Sequence, residues 1–160
     1  MEQSNTMTSA APQPAKRKDV HVTVTGTGWN PIAWSQKVDT PGHGNNGNKI
    51  EFPHGPDSYD IIFKLKNDTG HDIGFDASGP IFVERTLPGS PYPTGFNTDQ
   101  MMVHSCDGSK LVLRNWNELK MDFQYQLNFV TNAGDKVRPF DPIIQNDGGG
   151  TKPTLGINNQ

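Results

Sequence analysis

Five apolar positions spaced two apart, Met121, Phe123, Tyr125, Leu127 and Phe129, alternate with Asp122, Gln124, Gln126 and Asn128. An extended chain sends successive side chains to opposite faces, so this stretch reads as a half-buried antiparallel strand with the first set inward and the second outward. Before it, the turn Cys106-Asp107-Gly108-Ser109-Lys110 feeds Leu111 and Leu113. After it, Asn132-Ala133-Gly134-Asp135 supplies a hairpin turn, and Lys136 to Asn146 returns as a strand interrupted by Pro139 and Pro142. The region from Ser105 to Asn146 is thus three strands joined by tight turns, and the rest of the chain is organised around it.

The same period recurs upstream. Asp19 to Thr25 alternates Val20, Val22 and Val24 with His21, Thr23 and Thr25 and predicts a first strand. Ile32 to Gln36 predicts a short second one in which Ile32 and Trp34 share a face. Thr40 to Asn48 is a loop by composition, and Lys49 fails the spacing of a phosphate-binding loop. Lys49 to Phe52 predicts an edge strand, and Ser58 to Lys66 a longer one with Tyr59, Ile61, Phe63 and Leu65 on one face and Ile62 on the other. Asn67-Asp68-Thr69-Gly70 is a turn. His71 to Phe75 and Pro80 to Glu84 follow as short strands, Leu87 to Phe96 as a Pro-rich excursion, and Gln100 to Ser105 as extended chain. No window repeats apolar residues at helical spacing over three turns. Seven to nine short strands without intervening helices predict an all-β fold, an antiparallel immunoglobulin-like β-sandwich.

Composition adds boundaries. Residues 1–18 and 148–160 are dominated by small and polar types that bury too little apolar area to offset ordering entropy, so a disordered leader and a disordered tail are expected around a domain spanning 19–147. The formal net charge of −3 and the single basic cluster, Lys16-Arg17-Lys18, argue against nucleic acid, because a phosphate-tracking surface needs several convergent cations. That cluster reads as a solvated, solubilising part of the leader. No stretch has the length of a membrane span. The first residues lack the apolar core of a secretory signal, and the expected localisation is cytoplasmic. One cysteine, Cys106, excludes an intrachain disulfide and agrees with a reducing compartment.

Four segments carry a resemblance: Asn67-Asp68-Thr69-Gly70 followed by Phe75; Ser105-Cys106-Asp107-Gly108-Ser109-Lys110-Leu111; Phe123-Gln124-Tyr125; and Asp141-Pro142-Ile143-Ile144-Gln145-Asn146. In order and spacing, from about Tyr59 to Asn146, they resemble a set of small uncharacterised bacterial proteins called the DP-EP family. The closing Asp-Pro-Ile-Ile-x-Asn is the most specific part. The resemblance implies a small all-β domain and no known catalytic residues. This chain departs from it in the strands and two tryptophans before Ile50 and in the Pro-rich insertion near Ser90.

The chemistry-bearing residues are scattered. A copper site of the cupredoxin kind needs a second His after the Cys; His71, His104 and Cys106 are present, and no His follows Cys106. His104 lies two residues before Cys106 and is expected on the same strand face. Cys106, His104 and Asp107 are neighbours in sequence without a nucleophile-elbow pattern, so no nucleophilic triad is expected. Asp107, Asp122, Asp135, Asp141 and Asp147 form no alternating calcium loop and read as turn caps. Pro139 and Pro142 place the Asp141-Pro142 motif at an edge or a sheet-switching bulge.

The expectation is a non-enzymatic binding or assembly module with no catalytic residues, metal or cofactor. It associates with itself or with another protein through a strand edge, with Lys49 to Phe52 or Pro80 to Glu84 as the free edge. The alternative is a carbohydrate or small-ligand binder that stacks its ligand on Trp29, Trp34, Tyr92 and Phe96.

Overall fold

A computed structural model describes residues 15–27, 33–39, 49–86, 93–137, 143–150 and 152. All regular structure among them is β, in thirteen strands. In chain order these are β1 (Lys16–Thr27), β2 (Ala33–Asp39), β3 (Lys49–Phe52), β4 (Tyr59–Asp68), β5 (Ile73–Phe75), β6 (Ile81–Arg85), β7 (Phe96–Asn97), β8 (Met101–Cys106), β9 (Lys110–Asn115), β10 (Lys120–Leu127), β11 (Phe129–Thr131), β12 (Lys136–Val137) and β13 (Ile143–Asp147). The first sheet has the order β2-β1-β4-β9-β8, the second β3-β13-β10-β6-β7, and a three-stranded third sheet β12-β11-β5. The count exceeds seven to nine because β5, β7, β11 and β12 have only two or three residues each, too few for alternation to register.

The inward positions meet in one core. Val20, Val22, Val24, Ile61, Phe63, Leu111 and Leu113 come from the first sheet, and Ile50, Phe52, Val83, Phe123, Tyr125, Leu127 and Ile144 from the second. The rings of Phe63 and Tyr125 lie 5.7 Å apart, and those of Phe52 and Tyr59 4.6 Å apart, each pair reaching from one sheet to the other. Each fully buried Phe or Leu contributes about 1.5–3 kcal/mol of transfer free energy, which makes this shared layer the main source of cohesion. Phe75 and Phe129 extend it into the third sheet, with centroids 4.9 Å apart.

The sheets are mixed rather than antiparallel. β1 runs parallel to β4, β3 to β13, and β6 to β7. A period of two reports which face a side chain takes and is blind to strand direction. Here β3 crosses to the second sheet, and the chain re-enters the first sheet beside β1 in β1's own direction.

Three expectations at segment ends are corrected. β1 begins at Lys16, three residues before Asp19: the Lys16 N–H donates to the Ser58 carbonyl at 2.9 Å, and its Nζ pairs with Asp57 at 2.8 Å. Asn128, expected outward, is 0% exposed. The chain switches there from the second sheet to the third, and the carboxamide donates to the Gly79 carbonyl and accepts from Gln126 Nε2, both at 2.8 Å. Gly148 and Gly150, assigned to the disordered tail, are buried. Residues 1–14 and 153–160, the loop from Thr40 to Asn48, and the Pro139 to Pro142 segment lie outside the described residues.

Candidate interaction surfaces

Asn115 follows Leu111 and Leu113 at the inward period, and Asn146 follows Ile144 in the same way, so β9 and β13 each end with a carboxamide pointing into the core. The two amides bond reciprocally, Asn115 Nδ2 to Asn146 Oδ1 at 2.8 Å and Asn146 Nδ2 to Asn115 Oδ1 at 2.9 Å. Both are 0% exposed, which makes each bond a condition for burying the other group. Asn117 takes a left-handed φ of 52°, donates its Nδ2 to the Pro53 carbonyl at 2.9 Å and accepts from the Gly148 N–H at 3.0 Å. The Gly150 N–H closes the cluster on the Asn117 carbonyl at 2.7 Å, and a Cβ at Gly150 would run into the Trp116 carbonyl. This clasp ties the two large sheets together at one end. Its groups are mutually satisfied, so it is structural.

The outer face of the first sheet is charged and satisfies itself. Arg114 holds Asp60 through two bonds, of 2.8 and 3.0 Å. Asp19 accepts Arg17 at 2.8 Å and lies 3.7 Å from Lys64 Nζ. Register puts Ile62 and Val112 opposite each other between these pairs. Neighbouring Lys and Arg stems cover apolar surface of this kind, which accounts for the burial of both residues on the side away from the core.

Edges differ. β3 lies at the edge of the second sheet, as expected for Lys49 to Phe52. Lys18 Nζ reaches it from β1, donating to the Glu51 carbonyl at 3.3 Å and sitting 5.3 Å from the Phe52 ring centroid. Burial there lowers the lysine pKa, in place of the fully solvated role its composition suggested. Pro80 to Glu84 is no edge, because β6 lies between β10 and β7. The first sheet ends in β8, a strand without a charged Lys, Arg, Asp or Glu, on which Met102 is 42% exposed. Among the described residues, its outward backbone groups have no pairing strand. β2, at the opposite edge, carries Lys37 and Asp39.

A bulge between Val103 and Ser105 changes the reading of His104 and Cys106. The extra residue leaves His104 and Ser105 both exposed and returns Cys106 toward the core, so His104 and Cys106 face opposite ways. Burial pushes the Cys106 thiol pKa up, and the Asp107 and Asp76 carboxylates push it further, so the sulfur is a thiol at neutral pH and a poor nucleophile. Asp107 caps its turn by accepting the N–H groups of Ser109 and Lys110, both at 2.8 Å. Asp76 accepts Lys136 Nζ at 2.6 Å and the Ser78 hydroxyl at 2.6 Å, and these bonds hold its carboxyl at about 2. No group of three or more His, Cys, Asp or Glu converges to hold a metal among the described residues. A concavity of about 290 Å³ lies between the Gly70 to Asp72 and Thr131 to Asp135 turns and opens to solvent, with Asp72 already accepting Asn132 Nδ2 at 2.7 Å.

Of the four aromatic candidates, Trp29 and Tyr92 lie outside the described residues. Trp34 pairs with Gly26 in the β1–β2 ladder, and its side chain is likewise outside them. Phe96 packs against the core. The structure therefore brings no two of the four together as a described stacking surface. Sequence reasoning passed over Trp116, whose ring carries Lys152 Nζ at 5.6 Å, and over Asn115, which the inward period of β9 marks as a buried amide. No family model matches the chain, and no curated protein matches it.

Proposed function

We propose that this chain is a non-enzymatic binding or assembly module, an immunoglobulin-like sandwich of the kind the DP-EP resemblance implies, and that it associates with a second copy of itself along β8. The observation that carries the reading is an unpaired six-residue edge, free of Lys, Arg, Asp and Glu, with Met102 exposed on it. Natural sheets blunt their edges with charge, proline or cover. β3 has Lys18 across it, β2 has Lys37 and Asp39, and β8 has only its bulge. An antiparallel, two-fold pairing of β8 with itself opposes no like charges and extends the first sheet across the dimer. The chemistry described above supports the non-enzymatic part, since the acids, His104 and the Cys106 thiol are engaged in turns, ion pairs or opposite strand faces.

Molecular mass in solution over a wide concentration series tests this. A rise toward the dimer mass is expected for the native chain, with the transition moved to at least about tenfold higher concentration in Met102→Lys, which sets two charges facing across the two-fold. A monomer at every concentration, or a dimer indifferent to Met102→Lys, would end the β8 reading.

A further inference from the structure

The outer face of the second sheet holds hydrogen-bonding groups that it does not use. Register sets Gln124 of β10 beside Glu84 of β6, and Glu84 beside Asn97 of β7. The neighbouring rows place Gln126 beside Phe82 and Asp122 beside Gln145 of β13. Glu84 is oriented by three donors on one oxygen: Asn97 Nδ2 at 2.6 Å, the Thr94 N–H at 3.2 Å and the Thr94 hydroxyl at 3.4 Å to Oε2. Its Oε1 remains uncommitted among the described residues. The Gln124 carboxamide makes no hydrogen bond to any described residue, and Gln145 Oε1 is buried without a partner. An unpaired buried acceptor costs about 1–3 kcal/mol, so this face gains by a partner that brings donors.

Charge complementarity decides the kind of partner. The central rows contain carboxylates and amides and no Lys or Arg, which disfavours an anion. Glu84 is already neutralised in part by its donors, and no third acidic group joins it to hold a metal. One half-buried ring, Phe82, is too little for an apolar ligand. Carboxamides offer a donor and an acceptor in one plane, which matches adjacent hydroxyls of a sugar, and a ring edge accepts its C–H face. Four strands spaced by about 4.8 Å give a platform about 14 Å wide, the scale of a short oligosaccharide.

We propose that this face binds a neutral polysaccharide, with Gln124, Gln145 and the free oxygen of Glu84 bonding to its hydroxyls. The site is on the sheet opposite β8 and does not depend on association there.

Calorimetric titration of the full chain with a mixed-linkage β-glucan, a galactomannan, a xyloglucan and a dextran tests it, each in about 0.05 M and about 0.5 M salt. Saturable binding to at least one is expected, unchanged by salt, weakened about tenfold or more in Gln124→Ala and in Gln145→Ala, and intact in the Met102→Lys monomer. Melting curves of the variants check that they fold. Absence of binding to all four polymers, binding that fades with salt as for a charged ligand, or binding that both glutamine variants leave untouched would overturn the proposal.

Discussion

The two large sheets share one core and place their unsatisfied bonding capacity in different locations. The first has an outer face whose charges pair among themselves, Arg114 with Asp60 and Arg17 with Asp19, and an edge, β8, that nothing among the described residues pairs. The second has an edge, β3, crossed by Lys18, and an outer face whose Gln124 and Gln145 amides have no partner among the described residues. Residue type alone does not separate the cases, since both outer faces are polar. What separates them is whether the groups already satisfy one another, because a satisfied group gives little to a partner and an unsatisfied one gains by meeting it.

The comparison rests on the sheets being held in register, so the largest effect is expected at the clasp. Asn115→Ala leaves the Asn146 amide buried and half unpaired, and should cost about 1–3 kcal/mol in urea unfolding. Loss of that size with unchanged m-value keeps the two-sheet picture, whereas a neutral result would mean the amides are hydrated and the clasp is open. Arg114→Ala should cost about 1 kcal/mol, more than a fully exposed pair, because the bridge is two-pronged and half-buried. Tyr125→Phe runs the other way: the Tyr125 hydroxyl is fully buried without a partner, so its removal should leave stability unchanged or raise it by up to about 1 kcal/mol. A clear loss would reveal a bond to the hydroxyl. Smallest of all, Gln124→Ala should shift stability by less than about 0.5 kcal/mol, since its amide has no intramolecular partner to lose. Equal costs for Arg114→Ala and Gln124→Ala would erase the contrast between the faces.

Alternation made much of this legible. Val20, Val22, Val24, Ile61, Phe63 and the run from Phe123 to Leu127 are buried as their spacing predicts, because one buried face per strand is what a period of two encodes. It failed where tertiary partners decide. Asn128 continues the outward parity yet is taken inside by the switch between sheets, and Lys18 looks like solvated charge until β3 comes beside it. Gly148 and Gly150 read as tail because small residues are ambiguous: the absence of a Cβ suits a flexible end and a tight backbone contact equally, and only the contact with Trp116 and Asn117 decides. The bulge at His104 shifts parity by one residue and leaves no composition signal, so the facing of His104 and Cys106 was illegible. Glu84, Gln124 and Gln145 share an outward parity in the sequence; their adjacency needs the strand order, which only the fold supplies.

The β8 reading is tested most directly by amide hydrogen exchange across Met101 to Cys106 at rising protein concentration. Outward-facing amides of a free edge exchange quickly, and those in a ladder are protected. Protection in β8 that grows with concentration, while β3 and the turn at Asn132 to Asp135 stay unchanged, is the expected result. Exchange in β8 that remains fast and independent of concentration would contradict the claim that this edge is where the chain meets its partner.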